Sequence, residues 1–161
     1  MSRDIREATT LDATALGYLH VECWREAYAH LLSPQFLDGL DPVARGEGWA
    51  RQLSRPRPDE RVFVLEVDGE LRGFASSGRA HDEDPPRDRA LYTLYVLATE
   101  YGSGAGQQLL DAVLGDDPAY LWVADENPRA TAFYRRNGFI LDGVSKEGPR
   151  SERLLELRMV R

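Results

Sequence analysis

Hydrophobic and polar positions follow two different periods along the chain, and the change lies near residue 60. Before this point apolar residues recur at helical spacing, and Thr9 with Asp12 three positions later predicts a capped helix that runs to about residue 29. A capping side chain followed by proline at residues 33–34 and again at 41–42 predicts two short helices that end near residue 55. Residues 4–8 predict a short strand ahead of these helices.

After residue 60 the pattern is typical of strands, interrupted by two amphipathic helices. Asp68-Gly69 between two strand-like runs indicates a hairpin, and the nearly continuous apolar run at residues 91–97 indicates a central strand covered on both faces. Apolar spacing predicts a helix from Gly104 to about Gly115. Asn127-Pro128 predicts the start of a second helix, and Gly138 its end. The predicted strands are residues 61–67, 70–79, 91–97, 120–124, 139–144 and 153–160, with an exposed loop at 80–89.

The composition narrows the classes of protein to consider. A length of 161 residues with 42% hydrophobic and 29% charged residues predicts one globular domain spanning residues 1–161. The charged N-terminus and the absence of an apolar run near 18 residues predict a cytoplasmic protein that does not bind a membrane. A net charge of −7 argues against nucleic-acid binding, and the lone Cys23 against a cysteine-rich metal site, so no metal is expected.

A glycine-rich turn at residues 102–106, Gly-Ser-Gly-Ala-Gly, follows the central strand and opens a helix. Backbone N–H groups at such a turn, together with the helix dipole, favour a phosphate group. No Lys-Ser or Lys-Thr follows the glycines, so the P-loop pattern is absent. The dinucleotide pattern also fails, because Gln107 stands where its last glycine would be. Two helical segments and a hairpin precede the turn, which further weakens a dinucleotide fold.

The residues of two motifs indicate a protein family. Residues 94–97, Leu-Tyr-Val-Leu, lead into Tyr-Gly-Ser-Gly-Ala-Gly at 101–106, and Asn-Pro-Arg-Ala at 127–130 precedes Ala-Phe-Tyr-Arg-Arg-Asn-Gly-Phe at 132–139. In order and separation these motifs resemble the acetyl-CoA site of the GNAT superfamily of N-acetyltransferases, bacterial type. The Trp-Arg-Glu-Ala-Tyr segment at 24–28 extends the resemblance toward the N-terminus.

This resemblance implies an α+β acyl-CoA N-acyltransferase fold. Its central twisted sheet has six to seven mostly antiparallel strands with helices on both faces, and its fourth and fifth strands splay apart. It implies acetyl-CoA as the acyl donor, with the pyrophosphate on the amides of residues 102–107 and the pantetheine arm along the fourth strand. The cofactor-binding residues carried over are Tyr95, Val96, Leu97, Tyr101, Gly102, Ser103, Gly104, Ala105, Gly106, Gln107, Asn127 and Ala130.

The family resemblance also implies a reaction, in which an amine attacks the thioester directly in a ternary complex. A backbone amide near Val96 would hold the oxyanion, and Tyr134 would hydrogen-bond the departing sulfur. Family members often carry Glu near the start of the fourth strand, where this sequence has Ala90-Leu91, so the general base is unassigned. Three residues are candidates for the acceptor site: Trp24 and Tyr28 as pocket walls, and Asp82 in the loop before the fourth strand.

The acceptor remains open among small-molecule and peptide primary amines, and a homodimer is compatible with the resemblance. A non-catalytic acyl-CoA-binding or sensing module is the main alternative, since no base is identified. A nucleotide-dependent oxidoreductase is a more distant alternative.

Overall fold

The computed structural model describes residues 1–148 and 154–161. It consists of seven strands, β1 to β7, and five α-helices, α1 to α5, with short 3-10 turns at Thr10–Asp12 and Ala98–Glu100. The strands are Arg3–Glu7, Arg61–Val67, Glu70–Arg79, Arg89–Val96, Tyr120–Ala124, Ile140–Glu147 and Leu155–Val160. The helices are Ala13–Tyr28, Pro34–Asp38, Pro42–Ser54, Ala105–Val113 and Pro128–Arg136.

These bounds follow most of the predicted elements closely, and the differences have local causes. The sixth strand runs three residues past its predicted end at 144, because Lys146 and Glu147 pair with β7. The capping pair at Thr9 opens a 3-10 turn before α1, where the Thr9 amide donates to Asp12 Oδ2 at 2.8 Å. The fourth strand begins at Arg89, inside the predicted loop, because its first residues pair with the end of β3. The predicted start of the last strand, residue 153, lies outside the described residues.

Side-chain caps fix the starts of three helices, each followed by proline at the first helical position. Ser33 accepts from the Phe36 amide at 3.1 Å, Asp41 from Val43 at 2.9 Å, and Asn127 from Ala130 at 3.3 Å. Such side chains satisfy N–H groups that have no acceptor within the helix. The local sequence therefore determines where α2, α3 and α5 begin.

The sheet has the order β1-β2-β3-β4-β5-β7-β6. Every neighbouring pair is antiparallel except β4 and β5, which are parallel. The α+β fold with a mostly antiparallel seven-stranded sheet is thus confirmed. None of the helices in the described part of the chain has the length and apolar character of a membrane span.

Two apolar cores form on opposite faces of the sheet. On one face α4 packs Leu109, Leu110 and Val113 against alternate strand residues such as Leu65. On the other, α1 and α3 cover Phe74, which is fully buried. Because side chains alternate along a strand, neighbouring residues of β2 and β3 serve different cores.

The contact between α1 and α3 depends on glycines that let the two backbones meet. A Cβ added at Gly17 of α1 would overlap the Pro42 carbonyl oxygen and lie 2.5 Å from the Gly46 backbone nitrogen. By contrast, a Cβ at Gly48 of α3 meets only the tip of Arg51, at 3.9 Å. These two glycines differ in packing while both lie inside helices.

Gly17→Ala should therefore lower the free energy of unfolding by about 1–3 kcal/mol, the usual cost of overpacking, because the backbone of α3 must shift. Gly48→Ala should raise it by about 0.5–1 kcal/mol through helix propensity alone. Urea unfolding followed by circular dichroism measures both. Equal effects of the two substitutions would contradict a close approach at Gly17.

Candidate active site

A cleft opens in the middle of the sheet, where β4 and β5 diverge. The two strands pair only at Ala90 and Tyr120. In β4 the register with β3 shifts so that Tyr92 has no partner, a bulge that bends the strand. Beyond this point a cavity of about 660 Å³ lies between residues 91–96 of β4 and 121–124 of β5. The divergence predicted for the fourth and fifth strands is present.

Backbone groups of β4 face this cavity. The Leu97 amide donates to the Arg72 carbonyl oxygen at 2.9 Å, on the β3 side. Since successive amides of a paired strand point in opposite directions, the Val96 amide points away from β3 and toward the cleft. The Val96 amide is thus placed to donate a hydrogen bond to a bound group, whereas the Leu97 amide already donates to Arg72.

The glycine-rich turn lies at one end of the cavity. Gly102 and Gly104 have φ values of +77° and +86°, which L side chains adopt only with strain. Gly104 is the N-cap of α4, so the amides of the first helical turn have no acceptor within the helix. The turn therefore presents several N–H groups at a positive helix end, an arrangement suited to a phosphate.

An ion pair from the first strand fixes this turn. Arg3 contacts the Glu100 carboxylate at 2.7 Å and donates to Ser103 Oγ at 2.8 Å. Glu100 is buried, and Arg72 approaches its other oxygen at 4.0 Å. The Ser103 hydroxyl also donates to the Glu100 carbonyl oxygen and accepts from the Ala105 amide. Ser103 therefore acts inside the turn instead of lining the cavity.

Helix α5 forms the opposite wall. Asn127 and Ala130 line the cavity at its first turn, and Phe133 and Tyr134 line it one turn later. The Arg129 guanidinium lies over the ring of Tyr101, 3.8 Å from its centroid, which connects the two walls at the glycine end. This contact is within the range of a cation–π interaction.

Tyr134 is buried between the rings of Phe133 and Phe139. Its hydroxyl has no hydrogen-bond partner in the part of the chain that the structure describes. Burial raises the pKa of Tyr134 above its ordinary value, so the phenol stays protonated at neutral pH. It is available as a hydrogen-bond donor within the cavity.

On the face covered by α1, two further tyrosines meet at the cavity. The hydroxyls of Tyr28 and Tyr95 lie 2.9 Å apart, and burial raises the pKa of each. Trp24 packs edge-on against Tyr28, with ring centroids 4.9 Å apart, and does not line the cavity. The Trp24 ring thus supports the wall that Tyr28 presents.

Asp82 lies beyond the paired ends of β4 and β5. Its Oδ2 accepts from the Tyr120 hydroxyl at 2.5 Å and from Trp122 Nε1 at 3.2 Å. Burial alone would raise the pKa of Asp82, but these hydrogen bonds and the Lys146 ammonium lower it overall. Asp82 reaches the cavity only through Trp122, whose ring lines it.

The structure thus brings together most of the predicted site residues. Those that line the cavity are Tyr28, Tyr95, Val96, Tyr101, Gly102, Gly104, Gly106, Gln107, Asn127, Ala130 and Tyr134. Those that do not line it are Trp24, Asp82, Leu97, Ser103 and Ala105. The last of these is fully buried beneath the glycine turn.

Three residues in or beside the cavity wall were not among the predicted site residues. Glu26 lines the cavity, and its Oε2 accepts from the Ala98 amide at 2.7 Å. Trp122 lies on β5, where the sequence predicted only a strand. Glu156 lies on β7, in register with Ala124 of the cavity wall, but does not itself line the cavity. Glu26 lies within the 24–28 segment that resembles the family, so its position could have identified it. Trp122 and Glu156 lie in strands, and strand periodicity gives no indication of a functional role.

Comparisons with known proteins agree with this geometry. A family model described as the acetyltransferase (GNAT) family matches residues 14–139. The uncharacterized N-acetyltransferase YuaI of Bacillus subtilis is 30% identical over 138 residues, which are 81% of this chain and 76% of that protein.

Solved structures share the whole fold. The PaiA N-acetyltransferase of Thermoplasma acidophilum, in complex with coenzyme A, superposes with a TM-score of 0.72 at 19% identity, covering 98% of each chain. An acetyltransferase of Thermus thermophilus superposes with a TM-score of 0.64 at 25% identity, covering 100% of this chain and 97% of that one.

Proposed function

Since the chain belongs to the GNAT family of acetyltransferases, we propose that it moves an acetyl group from acetyl-CoA to a primary amine of a small molecule or peptide. The amine attacks the thioester directly, while both substrates are bound. Membership in the family and the relatives named N-acetyltransferases make the chain an acetyl-CoA-dependent acyltransferase.

The glycine turn fits the donor's pyrophosphate. N–H groups around Gly102, Gly104 and the first turn of α4 can donate to an anion. Arg3 stabilises the turn through its hydrogen bond to Ser103. Gly106 and Gln107 extend the same wall. The complex of the PaiA protein with coenzyme A supports a coenzyme A site in this fold.

The unpaired side of β4 fits the pantetheine arm and the thioester. Amides of the arm can pair with β4 in the place where β5 would otherwise lie. The Val96 amide, directed toward the cleft, would then donate to the carbonyl oxygen as it gains negative charge. Acetyl-CoA supplies the activated acetyl group, and the chain supplies its position and this hydrogen bond.

Tyr134 would act at the departing sulfur. Its hydroxyl is protonated, lacks a partner among the described residues and lines the same cavity as Val96. A phenol held in this way can donate a hydrogen bond to the thiolate as the carbon–sulfur bond breaks. Its raised pKa makes complete proton transfer less favourable, so stabilisation by hydrogen bonding is the main effect.

A single observation carries the proposal: one cavity is lined by the glycine turn, by the unpaired side of β4 and by Tyr134. The test is release of thiol from acetyl-CoA across a panel of primary amines, peptides with free N-termini and aminoglycosides. We expect turnover with at least one amine. Binding of acetyl-CoA without thiol release on any acceptor would instead indicate a binding module.

Tyr134→Phe should lower kcat roughly a hundredfold, because it removes one donor that acts only in the transition state. The Kd of acetyl-CoA, measured by calorimetry, should stay within about twofold of wild type. Tyr18→Phe is the matched control, since Tyr18 is 55% exposed on α1. A Tyr134→Phe variant with wild-type turnover would remove Tyr134 from the reaction.

Gly104→Ala should weaken coenzyme A binding by about tenfold, because a left-handed residue with a side chain costs about 1–2 kcal/mol and the turn relaxes its amides away from the phosphate. Gly69→Ala is the matched control. Gly69 has a φ of +83° in the β2–β3 hairpin, and at both positions an added Cβ meets no atom within 4 Å among the described residues. Calorimetry with coenzyme A and thermal melts should show similar losses of stability but a loss of affinity only for Gly104→Ala.

A further inference from the structure

Three carboxylates around the cavity are already engaged. Glu100 pairs with Arg3, and Glu26 accepts from the Ala98 amide. Asp82 accepts from two aromatic side chains on β5, which hold it as a carboxylate. Each of these acids therefore stabilises a loop or a strand end through at least one of its carboxylate oxygens.

Glu156 differs from them. It is partly buried, and in the described part of the chain its carboxylate accepts no hydrogen bond and has no ion pair within 4.0 Å. It pairs in register with Ala124 of β5, a residue of the cavity wall. Opposed residues of an antiparallel pair point to the same face, so Glu156 lies on the face of the sheet that Tyr28 covers, next to the cavity wall without lining the cavity itself. A Cβ added at Gly148, just after the end of β6, would lie 2.7 Å from Glu156 Oε1.

The surroundings of Glu156 favour a group that can both hold and release a proton. Burial raises the pKa of Glu156, the charge of Asp82 raises it further, and the Lys146 ammonium on β6 opposes them. Lys146 itself lies over the Trp122 ring at 4.1 Å and 4.0 Å from Asp82. The charge of Glu156 also acts on Tyr28 and Tyr95, whose hydroxyls are hydrogen-bonded to each other. A carboxyl group with a raised pKa is a more effective base near neutral pH than an ordinary one.

We propose that Glu156 is the base that takes a proton from the ammonium group of the acceptor, at the end of the cavity bounded by Ala124 and Tyr28. This inference rests on the proposed acetyl transfer and identifies its missing residue. It places the acceptor's nitrogen on the α1 side of the sheet, between Glu156 and the unpaired edge of β4.

The ammonium gives one proton to Glu156, and the free amine forms the carbon–nitrogen bond at the thioester carbon. The carbon–sulfur bond then breaks with its electron pair on sulfur, next to Tyr134. The nitrogen loses its second proton, which neutralises the thiolate, and Glu156 returns its own proton to water. The products are the amide, the thiol and one released proton.

Glu156→Gln keeps the shape of the side chain and removes the base. With the amine that gives the highest wild-type turnover, kcat/KM at pH 7 should fall by about a hundredfold or more. In wild type, kcat/KM rises with pH as Glu156 loses its proton and then levels off. In the variant it should rise steadily as the amine itself becomes neutral, so the deficit shrinks at high pH. Glu156→Asp should recover part of the activity and the wild-type shape of the profile.

Glu147→Gln is the matched control, because Glu147 is an exposed carboxylate on the neighbouring strand β6. Thermal melts and the Kd of acetyl-CoA should be unchanged in all three variants, which separates a role in catalysis from one in folding. A Glu156→Gln variant with wild-type kcat/KM and the wild-type pH profile would overturn the role of Glu156 while acetyl transfer stands. A wild-type protein that releases no thiol with any amine would overturn the proposed function itself, and this inference with it.

Discussion

The incomplete pairing of β4 is the constraint on which the rest of the site depends. A strand in the middle of a sheet normally satisfies its backbone groups on both sides, yet β4 contacts β5 only at Ala90 and Tyr120. From there to Val96 one edge of β4 faces a cavity instead of a strand. Buried amides and carbonyls without partners are costly, so this edge has a strong tendency to bind an extended polar chain. The bulge at Tyr92 maintains the opening by bending β4.

Helices α4 and α5 turn this opening into a site with two different ends. The glycine turn before α4 provides N–H groups for an anion at one end. Tyr28 and Tyr95 meet toward the other end, on the face where Glu156 lies beside the cavity wall. Burial raises the pKa of the Tyr95 and Tyr134 phenols and of the Glu156 carboxyl group. The same burial keeps Tyr134 a donor and makes Glu156 a stronger base, because low polarity disfavours the charged form of both.

Two residues predicted for the acceptor site, Asp82 and Trp24, have supporting positions in the structure. Asp82 was a candidate from sequence because the loop before the fourth strand is acidic. In the structure its oxygen accepts from Tyr120 and Trp122, so it fixes the point where the strands begin to separate. Trp24 likewise supports Tyr28 from behind instead of lining the cavity. Both placements depend on which aromatic rings meet across the fold, and that information is absent from local spacing.

The sequence by itself determined the elements and the identity of the fold, because caps, glycines and apolar periods act over a few residues. Asn127 and Pro128 start α5, and Gly104 starts α4, whatever lies elsewhere in the chain. Only the tertiary structure decided what stands opposite these elements. Glu156 lies beside Ala124 because β7 inserts between β5 and β6, a pairing of residues more than thirty positions apart. Alternation predicted a strand there, but the neighbours of a strand depend on the order of the whole sheet.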